Sequence, residues 1–436
     1  MKWISTTLFL TLFSLVSFGQ DTLLLSKSQI SEKLLSKNLQ IKINEQEIKS
    51  AKADFDQSKA VFMPNISVSH TAITTTNPLM AFGSKLNQEI LTAADFNPAL
   101  LNDPNRTSDF ATKFEIQQPL INVDGWYGRK AAQSKMQAYQ LQADRSKEYL
   151  QLEASKAFMQ LQLAYKAVEV LQNANQTAKA NLKLMGDYYQ QGLIQKSDLL
   201  AVELRVNEVK NQLQYAKSNV QNASDYLALL LGESLNEKVY KPVESLDTEI
   251  VALKAEAPKL VDSRKDFQAM QQSVMAYQNM YRSVKFNFLP RINAFGTYEL
   301  HDRQLFGTQA NGYLLGIQLS WNIFDGYKTI AKTQKAKAEY LKMSDEKEQY
   351  LAKSQLELNK TSRQLADAAN KVDLANLSKE QALEAYRIRS NRFKQGLEKT
   401  TDLLQSETQL YQKELEQLQA VFEYNFTKEY LQFLTQ

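Results

Sequence analysis

His70 and His301 are the only imidazoles in the 436 residues, and no cysteine accompanies them. They are the first groups to consider for metal binding or general-base chemistry. Each lies in its own stretch of alternating residues, and isolated strand histidines are far more often ordinary sheet residues than a metal pair or a base. Ser and Asp are plentiful, yet no nucleophile elbow, phosphate loop or paired-histidine metal motif occurs. The expectation is no catalytic residue, no cofactor, no metal site and no enzyme. Lack of cysteine also removes disulfides, thiolate metal sites and a lipid-modified N-terminal cysteine. Any attachment to a membrane must come from the fold.

The remaining chemistry sits at two carboxylates. Asp198 stands six residues after Gly192 and Asp402 six after Gly396, each directly preceded by a hydroxyl residue, Ser197 or Thr401. Glycine adopts the left-handed conformation that ends a helix, and Ser197 or Asp198, and Thr401 or Asp402, can cap the helix that follows. If several copies surround an axis, the same aspartates form a ring that attracts cations, to which Glu398 adds charge. Both uses stand open on the sequence.

The elements that must position these groups follow from the helix breakers, because proline breaks a helix interior and glycine weakens it by about 1 kcal/mol. Between Tyr127 and Leu231 there is no proline and only Gly128, Gly186 and Gly192; from Tyr327 onward the sole breaker is Gly396. These stretches predict two long helical hairpins. Leu199, Val202, Val206, Val209, Leu213, Ala216, Val220, Ala223, Leu227 and Leu230 follow steps of three and four, a coiled-coil seam. Leu351, Leu358, Leu365, Val372, Tyr386 and Phe393 form one heptad ladder, interrupted at Lys379, and a sustained heptad imposes a left-handed supercoil.

Elsewhere the period is two, which predicts strands. Ile66, Val68 and Ala72 alternate with Asn65, Ser67, Ser69 and Thr71, and Phe114, Ile116 and Leu120 with Lys113, Glu115 and Gln117. The same pattern covers Ile292 to Leu300 and Tyr313 to Ile323. The two halves then read as a repeat: Met63, Pro64, Asn65 and Ile66 answer to Leu289, Pro290, Arg291 and Ile292, and Asp124 with Gly125 to Asp325 with Gly326. The predicted fold is mainly α with a small β part, in two repeats of strand, strand, long helix, long helix. The boundaries are a signal peptide at 1–19, an N-terminal helical segment at 20–62, a first β-hairpin at 63–124, a first helical hairpin at 125–231, a connecting segment at 232–260, a helix at 261–288, a second β-hairpin at 289–325 and a second helical hairpin at 326–436. A loop from about Asn77 to Arg106, rich in Asn, Asp and Pro, is expected to be ordered only by its neighbours.

The N-terminus reads Met1, Lys2, an apolar run from Leu8 to Phe18, and small residues before Gln20, which marks secretory export. No later stretch has the roughly 20 apolar residues of a spanning helix. With 52 basic and 48 acidic residues, the net charge of +4 supplies no block suited to nucleic acid.

About 70 residues separate Gly125 from Gly192, so each long helix is expected to run roughly 100 Å at 1.5 Å per residue. Four strands of about ten residues match tilted membrane-crossing strands, but an open sheet cannot lie in lipid with unpaired edges. Two chains give eight strands and no lumen, whereas three give twelve and leave one. The expected assembly is a homotrimer. Trp126, Tyr127, Trp321 and Tyr327 fall at the strand ends, where an interfacial aromatic girdle and packing beneath a barrel explain them equally.

The two strand entries, Phe62 to Ile66 and Phe288 to Ile292, and the two break motifs carry a resemblance. Gln191 to Leu200 reads Gln-Gly-Leu-Ile-Gln-Lys-Ser-Asp-Leu-Leu, and Gln395 to Leu404 reads Gln-Gly-Leu-Glu-Lys-Thr-Thr-Asp-Leu-Leu. In these the chain resembles the TolC family of outer-membrane efflux proteins over essentially all of its mature length. The resemblance implies a trimeric, 12-stranded β-barrel continued by a long α-helical barrel in the periplasm. It implies a passive conduit in contact with outer-membrane lipid, energised by an inner-membrane pump through a periplasmic adaptor. The adaptor-docking tips would be Gly192, Leu193, Ser197, Asp198 and Leu199, with Gly396, Leu397, Thr401, Asp402 and Leu403. The candidate periplasmic gate is Asp198, Phe393, Glu398 and Asp402. Some members carry a basic residue where this chain has Glu398 and a tyrosine where it has Phe393, so gate contacts built on those groups do not transfer. Drug efflux, metal-ion efflux and type I protein secretion all fit the duct. A secreted coiled-coil structural protein is the rival of another class, against which the duplicated strand set argues.

Overall fold

The computed structural model describes residues 21–235, 238–247 and 258–436. The expected signal peptide, and residues 236–237 and 248–257 of the connecting segment, lie outside the described residues. In chain order the elements are β1 (Asp21–Leu25), α1 (Lys27–Lys37), α2 (Leu39–Gln57), β2 (Asn65–Thr75), α3 (Pro78–Asn87), α4 (Pro98–Asn102), β3 (Thr107–Ile121), α5 (Val123–Gln190), α6 (Lys196–Leu230), β4 (Lys238–Pro242), α7 (Lys265–Phe286), β5 (Arg291–Asp302), β6 (Ala310–Ser320), α8 (Lys328–Lys394) and α9 (Thr400–Thr435). The chain divides into two compact units, and α5 and α8 contribute residues to both.

Of the described residues, the first unit holds 21–42, 146–235, 238–247, 258–261 and 354–436. Its helices bury the predicted seams: Val202, Val209, Ala216, Val220 and Leu227 on α6, and Leu358, Leu365, Val372 and Phe393 on α8, are all buried. One apolar cluster joins Leu34, Phe158, Leu161, Leu227 and Tyr240, and another joins Leu365, Val372, Val421 and Tyr424. The N-terminal segment, expected to be wholly helical, opens instead with β1, which pairs in parallel with β4 from the connecting segment. Leu25, 1% exposed, is drawn into the core by that pairing. Neither Asp-Thr-Leu-Leu-Leu nor Lys-Val-Tyr-Lys-Pro alternates strictly between apolar and polar residues, so neither strand was anticipated.

The second unit, residues 43–145 and 262–353, carries one four-stranded antiparallel sheet in the order β2-β3-β5-β6. Both predicted hairpins form, and β3 joins them through β5. Cross-strand pairing fixes two chemically distinct faces. Ile66, Val68, Phe114, Ile116, Tyr298, Tyr313, Leu315, Ile317 and Leu319 share one face, while Ser67, Ser69, Lys113, Glu115, Glu299, His301 and Gln318 share the other. The second hairpin is shorter than its alternation suggests. β6 ends at Ser320, opposite Arg291, because Pro290 offers no further N–H and the partner strand stops there. Trp321 turns away and donates from Nε1 to the Phe288 carbonyl at 3.1 Å.

The 77–106 loop also departs from expectation, because it builds its own helices. Asn77 accepts from the Met80 N–H and Asn97 from the Ala99 N–H, each just before a proline that starts α3 or α4. Asn-Pro supplies a cap and a preset φ together, so the composition read as loop was helix-start chemistry.

Candidate functional site

Both hairpin tips end their long helix in the same way. Gly192 and Gly396 have φ of +73°. Gly192 N–H donates to the Tyr189 carbonyl and Leu193 N–H to that of Tyr188; at the second tip Gly396 pairs with Phe393 and Leu397 with Arg392. This is the Schellman arrangement, which satisfies the last helical carbonyls around a left-handed residue. It turns Leu193 and Leu397 outward, 65% and 63% exposed.

Beyond the glycines the tips diverge, despite their similar sequences. The helices begin at Lys196 and Thr400, so Ser197 and Thr401 sit inside the first turn and neither is the cap residue. Asp198 reaches back from the third helical position to the Gln195 N–H at 3.1 Å. Asp402 makes no such bond and lies 3.9 Å from Arg389. Glu398 is clamped by Arg389 at 3.1 Å and Arg392 at 2.9 Å, so its charge is compensated within the chain. Phe393 is 4% exposed and packs with Tyr188, Met185, Val202 and Leu403. It is a core residue of the tip, as is Leu403; Leu199 is half-buried against the same cluster.

Behind this apolar plug lies a polar layer that was not singled out in the sequence. Glu407 is fully buried, accepts from Asn181 Nδ2 at 2.6 Å and faces Arg205, itself 7% exposed, at 3.7 Å. Burial raises the Glu407 pKa against the opposing pull of Arg205 and Asn181. A signal existed: Leu403, Glu407, Leu410, Glu414, Gln417, Val421 and Tyr424 keep steps of four and three, placing carboxylates on a seam.

At the strand ends Trp126, Trp321 and Tyr327 are exposed, whereas Tyr127 stacks on Phe286 at 5.1 Å. The two histidines lie on opposite faces of the sheet, His70 bonded to Thr112 Oγ1 and His301 paired with Asp109. They form no joint site. Among the described residues no cluster of His, Cys, Asp or Glu is arranged to hold a metal ion, and no helix is long and apolar enough to cross a membrane.

A sheet with one apolar face, long helical hairpins and paired left-handed tips are the combination that comparison with known proteins then decides. The family model described as outer membrane efflux protein matches residues 30–233 and 258–434. The chain belongs to that family. As a family member it is an outer-membrane efflux duct. Solved structures agree on the fold. A membrane protein from Pseudomonas aeruginosa superimposes with a TM-score of 0.81 at 15% identity, covering 94% of this chain and 92% of the other. The Campylobacter jejuni CmeC outer membrane channel gives 0.79 at 15% identity, over 94% and 85%. The Vibrio cholerae outer membrane protein VceC gives 0.76 at 15% identity, over 93% and 95%. Comparison with curated protein sequences found no match.

Proposed function

We propose that three copies of this efflux protein close a 12-stranded barrel in the outer membrane and extend a helical tunnel into the periplasm, where an adaptor docks on the tips and links the duct to an inner-membrane pump. The observation that carries this reading is the four-stranded sheet. One face is apolar, the other polar, and β2 and β6 are left as open edges. In lipid such edges demand closure by further copies. Exposed Leu193 and Leu397, held outward by rigid turns, supply apolar anchors for an adaptor at each tip. The duct is passive: energy comes from the pump, and the chain supplies a path.

Cells lacking the protein should retain its cargo, and restoring it should lower the retained amount. A panel of dyes, metal ions and secreted proteins separates drug efflux, metal-ion efflux and type I secretion. If no member of the panel changes, and the protein is recovered from the medium instead of the outer membrane, the secreted coiled-coil alternative gains.

A further inference from the structure

Helix α3 is built inside out. Ala81, Ser84 and Gln88, spaced along one face, are 0%, 5% and 0% exposed, whereas Leu79 is 81%, Met80 50% and Leu86 58% exposed. Leu79, Phe82 and Leu86 form a stripe at i, i+3 and i+7, and Phe82 meets Phe96, itself 62% exposed, edge-on at 5.7 Å. A helix that buries its small and polar residues while leaving its large apolar ones bare is not completed by its own chain.

The buried side of α3 shows where it lies. Gln88 Nε2 donates to Asp109 Oδ1 and to the Ser108 carbonyl, both at 2.8 Å. Asp109 pairs with His301 Nδ1 at 3.0 Å, and both are buried at the loop end of the sheet. Strand register puts Asp109 and His301 on the polar face, with Lys113, Glu115 and Glu299, away from Val68, Phe114 and Tyr298. In a closed barrel the polar face is the lumen wall. A segment latched to that wall is cut off from lipid, and the large surfaces left for it to meet inside the bore belong to the other copies.

We infer that the 77–106 segment is a lid over the outer mouth of the duct, in which the Leu79, Phe82, Leu86 and Phe96 surface of each copy docks on that of a second copy. The latch of Gln88, Asp109 and His301 holds each lid to its own wall. This rests on the trimeric barrel proposed above.

The absence of native cysteine makes the test specific. In oxidised outer membranes Leu79→Cys should give disulfide-linked dimers, while Ile317→Cys, on the apolar face, should give none. For access, Ser67→Cys places a thiol on the polar wall, further from the loop end than the latch. A bulky, membrane-impermeant maleimide added outside the cell should label it slowly, and faster by about tenfold, 1.4 kcal/mol in the opening equilibrium, once residues 78–102 are replaced by a short Gly-Ser turn or Gln88 is changed to Ala. A trimer of normal mass that forms no Leu79→Cys dimers, or whose labelling rate is unchanged in both lid variants, overturns the lid and leaves the barrel standing. A protein with no three-chain assembly overturns both.

Discussion

Gly192 and Gly396 hold a φ of +73°, where an L-residue with a branched Cβ pays steric strain of about 1–2 kcal/mol or more. Apart from the glycine's own and adjoining residues, no heavy atom of the chain lies within 4 Å of where a Cβ would be built at either position, so the cost of a substitution is conformational and not a clash. Gly396→Val should therefore deform the tip alone, abolishing export while the protein still reaches the outer membrane. Normal export, or failure to insert, contradicts a docking role for this turn. Glu407 carries a second test. Its folded pKa is raised, so the native state binds a proton more readily than the unfolded chain, and stability falls as pH rises from the unfolded value through the folded one. Glu407→Gln should remove this segment of the pH–stability curve, which thermal unfolding of the wild type and variant across pH reads directly. Glu233 works in the opposite sense. Burial opposes its ionisation, but hydrogen bonds from Tyr240 and Lys33 and the charge of Lys37 bring it down to about 2, so its contribution is lost as pH falls below its usual range. At this scale the glycines were legible, because Gly-Leu interrupts a long proline-free run at the same place in both repeats. Which residue caps each following helix was not legible: Gln195 and Lys399 hold the cap positions in place of Ser197 and Thr401, because a shift of one or two residues in where a helix starts changes which side chain is the cap.

Among the elements, the two tips are near-copies in sequence that use their acids differently. Asp198 is held by a backbone N–H, while Asp402 is half-exposed beside Arg389. In planar bilayers, replacing both by alanine should weaken cation preference and block by divalent ions on the periplasmic side, with most of the loss traced to Asp402. The effect should be modest, since Arg389, Arg392, Lys394 and Lys399 share that tip. Unchanged selectivity and block with the assembly intact would leave both as helix-end residues only. The long helices and the four strands of the larger sheet were readable because each repeats its period many times. Short elements were not: β1 and β4 exist through one another, and α3 and α4 depend on Asn-Pro starts inside a segment whose composition is that of a loop. Repeat symmetry misled in one place. Asp124 accepts from Arg291, whereas its counterpart Asp325 caps α8 through Thr329, because α5 begins at Val123 and α8 only at Lys328.

For the whole molecule, the decisive fact is that the larger sheet has four strands and two open edges, β2 and β6. Apolar alternation on Tyr313, Leu315, Ile317 and Leu319, all more than 60% exposed in the isolated chain, is unfavourable in water and suited to lipid. Closure by two copies leaves no room for cargo, and closure by three leaves a bore. The family and its duct were legible in the sequence because the motif appears twice at matching places. The cargo was not, because no compact site in the sequence or among the described residues points to one. A shared barrel of three chains is tested by the mass of the protein–detergent complex extracted from outer membranes. After subtraction of bound detergent, the mass of three chains is expected; a monomer, or a stable dimer, as the native state rules the shared barrel out.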